Sequence, residues 1–259
     1  FYDGLREEGE TEIISLTRAA YPGSQRMGAL VWNGDIMSRF QNLKMSIKSG
    51  LSMGMCGIPW WNSDIGGFIN GDIESDYFRE LIVRWFQFGV FCPVMRLHGA
   101  RLRPSDHKMR HPEIIEPSGG DNEIWRFGER NYPILKALIE LRERLKDYTC
   151  QYMDIASATG APIMRPMFWD FYQDETCYTL EDQYMYGEDI LVAPIYEEGC
   201  TQRRVYLPEG RWIPVKGGQM DSAPDAVDGS RWVDCSAQLD EFIAFIKEGS
   251  DVLKCFMKA

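Results

Sequence analysis

The chain has 259 residues, of which 44% are hydrophobic and 26% charged, a balance typical of one large folded domain or two smaller ones rather than a disordered chain. Its net charge of −11 argues against nucleic acid or an anionic membrane as a main partner. The seven cysteines are odd in number and no pair has Cys-x-x-Cys spacing, so we expect reduced thiols, no metal site and a cytoplasmic location.

The first 150 residues alternate between short apolar runs and stretches with helical periodicity. The apolar runs predict four strands, at 12–18, 29–35, 57–64 and 91–98. The periodic stretches predict four helices, at 1–9, 40–53, 74–89 and 122–145. Ser38 is the expected N-cap of the second helix. This alternation is typical of a parallel α/β sheet with crossovers of barrel length.

Two further features of the pattern bear on organisation. The stretch at 100–121 has no periodicity and is long enough to be a functional loop. Beyond about residue 150 the pattern changes to short apolar runs between turns, at 162–169, 190–195, 203–207, 211–215 and 241–246. Such spacing is typical of an antiparallel β domain. We therefore predict one region at 1–159 and a second at 160–259.

Polar side chains stand at the ends of three consecutive predicted strands. Asp35 and Asp64 end the second and third strands, and Arg96 and His98 end the fourth. The carboxyl ends of barrel strands are where α/β barrels carry their chemistry. Taken singly, a strand-end Asp is more often a turn or capping residue, Arg96 could simply pair with a carboxylate, and His98 could be a satisfied buried histidine. The recurrence at three strand ends favours a functional site.

Carboxyl groups and aromatic rings together suit carbohydrate chemistry. Cleavage of a glycosidic bond needs one protonated and one ionised carboxyl group. Trp32 is expected to desolvate Asp35 partly, which suits the acid role. Carboxylate, Arg and His side chains hold sugar hydroxyls through charge-assisted hydrogen bonds. No Gly-rich phosphate loop and no nucleophilic Ser elbow is present in the sequence.

Four motifs resemble those of glycoside hydrolase family 31, the retaining α-glucosidases and α-xylosidases. Leu16-Thr-Arg18 and the residues that follow it resemble the family's Arg-Ser-x-x-x-Gly-x-x-Arg segment. Trp32-Asn-Gly-Asp35 resembles its acid/base motif, and Trp61-Asn-Ser-Asp64-Ile-Gly-Gly-Phe68 resembles its substrate-binding motif. Met95-Arg96-Leu-His98-Gly resembles its last barrel-strand motif. The residues of the last two motifs are more similar to those of the xylosidase-like branch of the family.

The resemblance implies a fold and a set of roles. Residues 1–159 would be the C-terminal part of a (β/α)8 TIM barrel, and residues 160–259 an antiparallel β-sandwich. Asp35 would be the general acid/base, and no cofactor would be needed. The residues lining the subsite for the non-reducing sugar would be Arg18, Trp32, Asp64, Arg96 and His98. The rings walling it would be Trp61, Phe68 and Trp85.

One family motif has no counterpart in this sequence. The family's nucleophile is an aspartate on an earlier barrel strand, so we expect the N-terminal half of the barrel, on the same or a separate chain, to be the essential partner. An α-glycoside or oligosaccharide would be the substrate, and a homo-oligomer is compatible with the sequence. Two alternatives stay open. The chain could be an inactive fragment that binds sugar or a partner, or Asp35 and Asp64 could act as an acid and base pair in an inverting scheme.

Overall fold

The structure is a computed structural model and describes residues 1–102, 120–217 and 219–258. Most of the loop predicted at 100–121 lies outside the described residues. Within these ranges, none of the helices combines the length and apolar character that crossing a membrane requires. All seven cysteines are present as thiols.

The first region is built on a short parallel sheet flanked by helices. Its elements in chain order are α1 (Tyr2–Glu7), β1 (Ser15–Thr17), β2 (Ala29–Trp32), α2 (Phe40–Met55), β3 (Trp61–Asn62), α3 (Asp76–Val90), α4 (Asn131–Arg144) and α5 (Lys146–Thr159). The strands pair in the order β1-β2-β3, and both pairings are parallel. The parallel sheet that the alternating pattern predicts is therefore present.

The predicted fourth strand does not form as a regular strand. The stretch at 91–98 makes one isolated parallel bridge, between Leu97 and Ile65, and two backbone hydrogen bonds to residues 61–65. Pro93 has no N–H group and therefore cannot donate to the sheet. The next residue, Val94, donates from its backbone N to Trp61 O on β3 at 3.3 Å. Ile65 N in turn donates to Arg96 O at 3.2 Å.

The register of β2 against β3 decides which side chains share a face. Val31 pairs with Trp61, and both are buried in the core against the helices. Trp32 pairs with Asn62, and alternation along a strand places these two on the opposite face. That second face carries the polar strand ends.

The helix after β2 begins differently from the prediction. The residue before Phe40 is Arg39, which makes no capping bond through its side chain, and Ser38 does not cap the helix. Instead the first helical amide, Phe40 N, donates to the hydroxyl of Tyr77 at 3.1 Å. Tyr77 lies on α3, so a contact distant in sequence supplies the cap.

The named strands of the second region all pair antiparallel. Its elements are β4 (Met164–Pro166), α6 (Met167–Asp170), β5 (Tyr184–Tyr186), β6 (Ile190–Val192), β7 (Gln202–Leu207), β8 (Arg211–Val215), β9 (Val227–Asp228), β10 (Arg231–Ser236) and β11 (Ala244–Lys247). Six strands form one sheet in the order β4-β5-β6-β11-β8-β9, and β10 and β7 form a second. The sequence pattern missed β5, β9 and β10.

The strands β4, β5 and β6 of the six-stranded sheet are buried on both faces. On β5, Tyr184 and Tyr186 belong to the core shared with the helices of the first region, whereas Met185 between them packs with Val205 and Trp212 on the other side. The hydroxyl of Tyr184 donates to Phe91 O at 3.0 Å, directly after α3 ends. The second region therefore supports the backbone that leads to Arg96 and His98.

Candidate active site

Asp35 stands three residues beyond β2, on a tip that is anchored to α2. Gly34 has a φ of +79°, a conformation that a residue with a Cβ rarely adopts, and this bend turns the chain toward Asp35. Asn33 donates to Ser46 Oγ at 2.8 Å, and Ser46 donates to Asn42 O at 2.8 Å. The tip is thus fixed to the first turns of the helix that follows it.

Arg18 faces Asp35 across the ends of β1 and β2. Its Nη1 atom lies 3.2 Å from Asp35 Oδ2, and the side chains are 64% and 35% exposed. The predicted neighbours are therefore brought together as an ion pair. With a third of its side chain exposed, Asp35 can be reached from solvent, as a proton donor to a bound molecule must be.

Asp64 is the buried member of the site. Its side chain has no exposed surface, and its Oδ1 atom is paired with Nη2 of Arg96. Arg96 also donates from Nε to Asn62 Oδ1 at 3.1 Å, so Asn62 at the end of β3 and Asp64 two residues beyond it hold the guanidinium. Asp64 Oδ2 has no hydrogen-bond partner among the described residues.

The electrostatics of Asp64 connect these side chains. Burial raises the pKa of the Asp64 carboxyl above its ordinary value of 3.8, and the negative charge of Asp35 acts in the same direction. The charges of Arg96 and His98 oppose this rise. Arg96, His98 and Asp35 thus all act electrostatically on this one buried carboxyl group.

His98 and Phe68 lie side by side at the rim of the cluster. Their ring centroids are 5.4 Å apart with an angle of 39° between the planes. Phe68 N donates to Ile36 O at 2.8 Å, and Ala100 N donates to Phe68 O at 2.8 Å. These bonds tie the loops that follow Asp35, Asp64 and His98 to one another.

Trp32 joins the two halves of the cluster. The Arg96 guanidinium lies 5.9 Å from the Trp32 ring centroid. Trp32 also lines a cavity of about 680 Å³, together with Arg18, Asp35, Lys48 and Trp61. Asp64, Arg96 and His98 do not line this cavity, so the described residues do not enclose the whole cluster in one pocket.

Two of the rings that the family resemblance assigns to the site are almost fully buried. Trp61 is 2% exposed and packs in the core, edge-on to Phe88 with centroids 6.4 Å apart. Trp85 is fully buried on α3, and its Nε1 donates to Ser63 Oγ at 2.9 Å. Trp85 has no exposed surface to offer a sugar, whereas Trp61, like Val31 on the same face, borders the cavity that Arg18 and Asp35 also line.

Three polar residues that the sequence reasoning passed over support the site. Asn62 holds Arg96, Asn33 anchors the Asp35 tip, and Arg101 lies buried behind Asp64. A signal existed for Asn62, because it lies two residues before Asp64 in the predicted strand at 57–64. Within residues 1–102, 120–217 and 219–258, no three His, Cys, Asp or Glu side chains are grouped so that they could hold a metal ion.

Two family models match the chain. Residues 1–152 match the glycosyl hydrolases family 31 TIM-barrel domain, and residues 160–252 match the glycosyl hydrolase family 31 C-terminal domain. The first match covers more than half of the chain.

Individual relatives carry glycosidase names. An α-xylosidase of Saccharolobus solfataricus is 32% identical over 96% of this chain and 31% of its own length. Alpha-glucosidase 2 of Bacillus thermoamyloliquefaciens is 33% identical over 97% of this chain and 28% of its own length. The crystal structure of an α-xylosidase from a soil metagenome, complexed with xylose, is 48% identical with a TM-score of 0.88 over 99% of this chain and 37% of that one. The chain thus spans about a third of the length of these relatives.

Proposed function

The chain belongs to glycoside hydrolase family 31, and we propose that it forms the C-terminal part of a longer enzyme that removes terminal, non-reducing α-linked xylose or glucose with retention of configuration. The parallel sheet and its helices would be the last part of a (β/α)8 barrel, and the two antiparallel sheets the sandwich that follows. The observation that carries this proposal is the cluster at the strand ends, where Arg18 pairs with Asp35 and Arg96 with Asp64.

Asp35 is the proposed general acid/base. It is the more accessible of the two carboxyl groups, and Asn33 and Gly34 fix its position at the end of β2. In the first step Asp35 would protonate the leaving oxygen, and in the second it would take a proton from the incoming water.

Asp64 and Arg96 are the proposed anchors for sugar hydroxyls. Arg96 keeps part of its surface exposed, whereas Asp64 is enclosed and already paired. The carboxylate orients the guanidinium, whose remaining donors can bond a hydroxyl with a charge-assisted bond. The same enclosure argues against Asp64 as the base of an inverting scheme, because that base must contact a water beside the sugar.

The nucleophile would come from a segment upstream of residue 1. The outer edge of β1 makes no strand pairing within the described residues, and Ile14 and Leu16 beside it are 67% and 44% exposed. A strand edge with exposed apolar residues is where a further barrel strand would pair. The retaining mechanism needs the covalent intermediate that such a strand would carry.

The test is an assay of the full-length protein on aryl α-xyloside and aryl α-glucoside. The 48% identity to an α-xylosidase over nearly the whole chain supports xylose as the first substrate to test. Asp35→Ala should lower kcat/KM by about 10²–10⁴-fold. The loss should be smaller for an aryl leaving group that needs little protonation. Binding of sugar without turnover of either substrate would instead favour a non-catalytic role.

A further inference from the structure

Arg101 is buried beneath the cluster, and its side chain bonds to the backbone that carries the residues of the cluster. Its side chain is 0% exposed. Nη1 donates to Gly67 O at 2.7 Å, and Nη2 donates to Ile65 O at 2.9 Å and to His98 O at 3.3 Å. One planar guanidinium therefore joins the turn after Asp64 to the carbonyl group of His98.

The remaining contacts hold the guanidinium itself in place. Nε donates to Asn122 Oδ1 at 2.7 Å, and the group lies 4.9 Å from the ring centroid of Phe78. Burial lowers the pKa of Arg101 to about 10, so the group stays charged at neutral pH. The charge lies among carbonyl dipoles, and Asp64 attracts it without a direct hydrogen bond.

Glycines leave the space that Arg101 occupies. A Cβ on Gly99 would lie 2.4 Å from Arg101 Nη1, and one on Gly71 would lie 2.7 Å from the same atom. A Cβ on Gly66 would lie 3.0 Å from Nη2. A larger residue at Gly99 or Gly71 would displace this side chain, and one at Gly66 would collide first with Ile82, 2.5 Å from the added Cβ.

We propose that Arg101 is a positioning residue for the α-glycosidase reaction, which sets the distance between Asp64 and the His98–Phe68 pair without touching the substrate. This inference rests on the proposed function. Lysine cannot replace the group, because a single ammonium on a shorter stem cannot reach three carbonyls and Asn122 in one plane. A misplacement of about 1 Å in such a cluster can lower the rate about 10²-fold.

Arg84 provides a matched control. It is 1% exposed and donates to the carbonyls of Gln238, Glu241, Cys200 and Ala237, at 3.1–3.3 Å, so it too is a buried arginine that bonds to backbone. Those carbonyls lie in the second region. Arg84→Lys should therefore lower stability without moving the strand ends.

The experiment compares Arg101→Lys with Arg84→Lys in the full-length protein. We expect both to lower the thermal midpoint, and only Arg101→Lys to lower kcat/KM on the aryl α-glycosides, by about 10²-fold. Amide exchange should accelerate at Gly67 and Ala100 in Arg101→Lys, and at Ala237 in Arg84→Lys. If kcat/KM falls in the same proportion to the loss of thermal midpoint in both variants, the proposal is overturned.

A second variant covers the case in which Arg101→Lys does not fold. Asn122→Ala removes only the acceptor for Nε, so the guanidinium loses one of its four acceptors. We expect faster exchange at Gly67 and a smaller fall of kcat/KM. Unchanged exchange and unchanged kcat/KM in Asn122→Ala would refute the positioning role. If the unaltered protein turns over neither substrate, the proposed function fails, and the exchange data alone decide whether Arg101 orders these turns.

Discussion

Asn62 and Arg96 form a hydrogen bond that ties the functional face of β3 to the next stretch of chain. Arg96 Nε donates to Asn62 Oδ1 at 3.1 Å, and the side-chain Nδ2 of Asn62 donates to Val31 O at 3.3 Å. The Asn62 side chain is fully buried, so both of its ends are satisfied by protein atoms. Asn62 thereby links β2, β3 and the segment that carries Arg96.

Replacing Asn62 by leucine should lower activity more than it lowers stability. The change keeps the volume similar but leaves Arg96 Nε without its partner, a loss of about 1–3 kcal/mol, and Val31 O keeps only the backbone pairing of β2 with β3. Arg96 then keeps only Asp64 as an anchor, so its angle to a bound sugar is less well defined. We expect a higher KM and a lower kcat/KM on the aryl α-glycosides in the full-length protein.

The matched control for this change is Gln183→Leu. Gln183 is also fully buried. Its side-chain Nε2 donates to Tyr206 O at 2.7 Å, and its Oε1 accepts a bond from Tyr206 N at 2.9 Å. It lies in the second region, so its loss should reduce the free energy of unfolding and leave KM unchanged. Equal changes of KM in the two variants would contradict the role of Asn62.

The contrast between Trp61 and Asn62 shows what the sequence can predict about the site. The polar strand ends at Asp35, Asp64 and Arg96 were predicted, because parallel strands bring their carboxyl ends to one edge. Which face each residue takes depends on the register, and a strand buried on both sides has no polar alternation to reveal it. The family resemblance assigns Trp61 to the wall of the site, and the structure leaves this ring 2% exposed, packed in the core and at the edge of the cavity that Asp35 lines.

The pH dependence of stability should reveal the buried state of Asp64. Burial raises its folded-state pKa above the ordinary 3.8. Below pH 3.8 the carboxyl is protonated in both states. As the pH rises from there to the raised pKa, the unfolded chain releases the proton first, so the free energy of unfolding falls and then levels off. Asp64→Asn does not titrate, so it should become more stable relative to the unaltered protein across this window.

Asp251→Asn should behave in the opposite way. Asp251 is fully exposed, and its hydrogen bond with Lys254 lowers the pKa of the carboxyl below 3.8. Its contribution to stability is present above pH 3.8 and is lost as the pH falls through the lowered pKa. Urea denaturation midpoints measured from pH 3 to pH 7 would give both slopes. If the stability of both variants, relative to the unaltered protein, changes with pH in the same direction, the assignment of Asp64 as a buried carboxyl group is wrong.

Gly67 should tolerate alanine less well than another glycine of the same conformation. Gly67 has a φ of +75°, and a Cβ there would lie 2.8 Å from Met37 O and from the backbone of Ser38. Gly57 has a φ of +76°, yet a Cβ there would meet nothing within 4 Å. Gly57→Ala should therefore lose only the conformational preference, about 1–2 kcal/mol.

Gly67→Ala adds a backbone collision to that loss. Overpacking of this kind typically destabilises by about 1–3 kcal/mol more. Because Met37 and Ser38 follow directly on the Asp35 tip, we also expect a lower kcat/KM in Gly67→Ala alone. Denaturation curves and the aryl glycoside assay of both variants would measure the two effects. Similar stabilities would mean that the neighbouring backbone moves aside at little cost.

The elements that the sequence missed are those whose burial depends on distant partners. The helix α5 was not predicted, and it follows α4 with only Leu145 between them. Its buried residues are Thr149, Tyr152 and Ala156, two of which carry hydroxyl groups, so the apolar periodicity is weak. Strand β5 was missed because it is only three residues long and lies between turns. Its two tyrosines find their hydrogen-bond partners on other parts of the chain.

The joint between the two regions gives a last prediction, centred on Arg142. From α4 it donates to Val90 O, Cys92 O and Pro93 O at 2.7–2.8 Å, and to the hydroxyl of Tyr186 at 2.7 Å. Val90 is the last residue of α3, so the guanidinium caps the carbonyl end of that helix and favours its dipole. The same group bonds to β5, and therefore holds the chain before Arg96 against the second region.

Arg142→Ala should lower the free energy of unfolding by roughly 2–4 kcal/mol, because three carbonyls lose a charged donor at once. Arg144→Ala is the matched control, since it lies on the same helix and has a single such bond, to Cys255 O at 2.7 Å. Its loss should be about 1 kcal/mol. Urea denaturation of both variants measures the difference, and hydrogen exchange at Phe91 and Cys92 should accelerate only in Arg142→Ala. If both substitutions destabilise equally, the carbonyl end of α3 does not depend on Arg142, and the support of Arg96 must come from β5 alone.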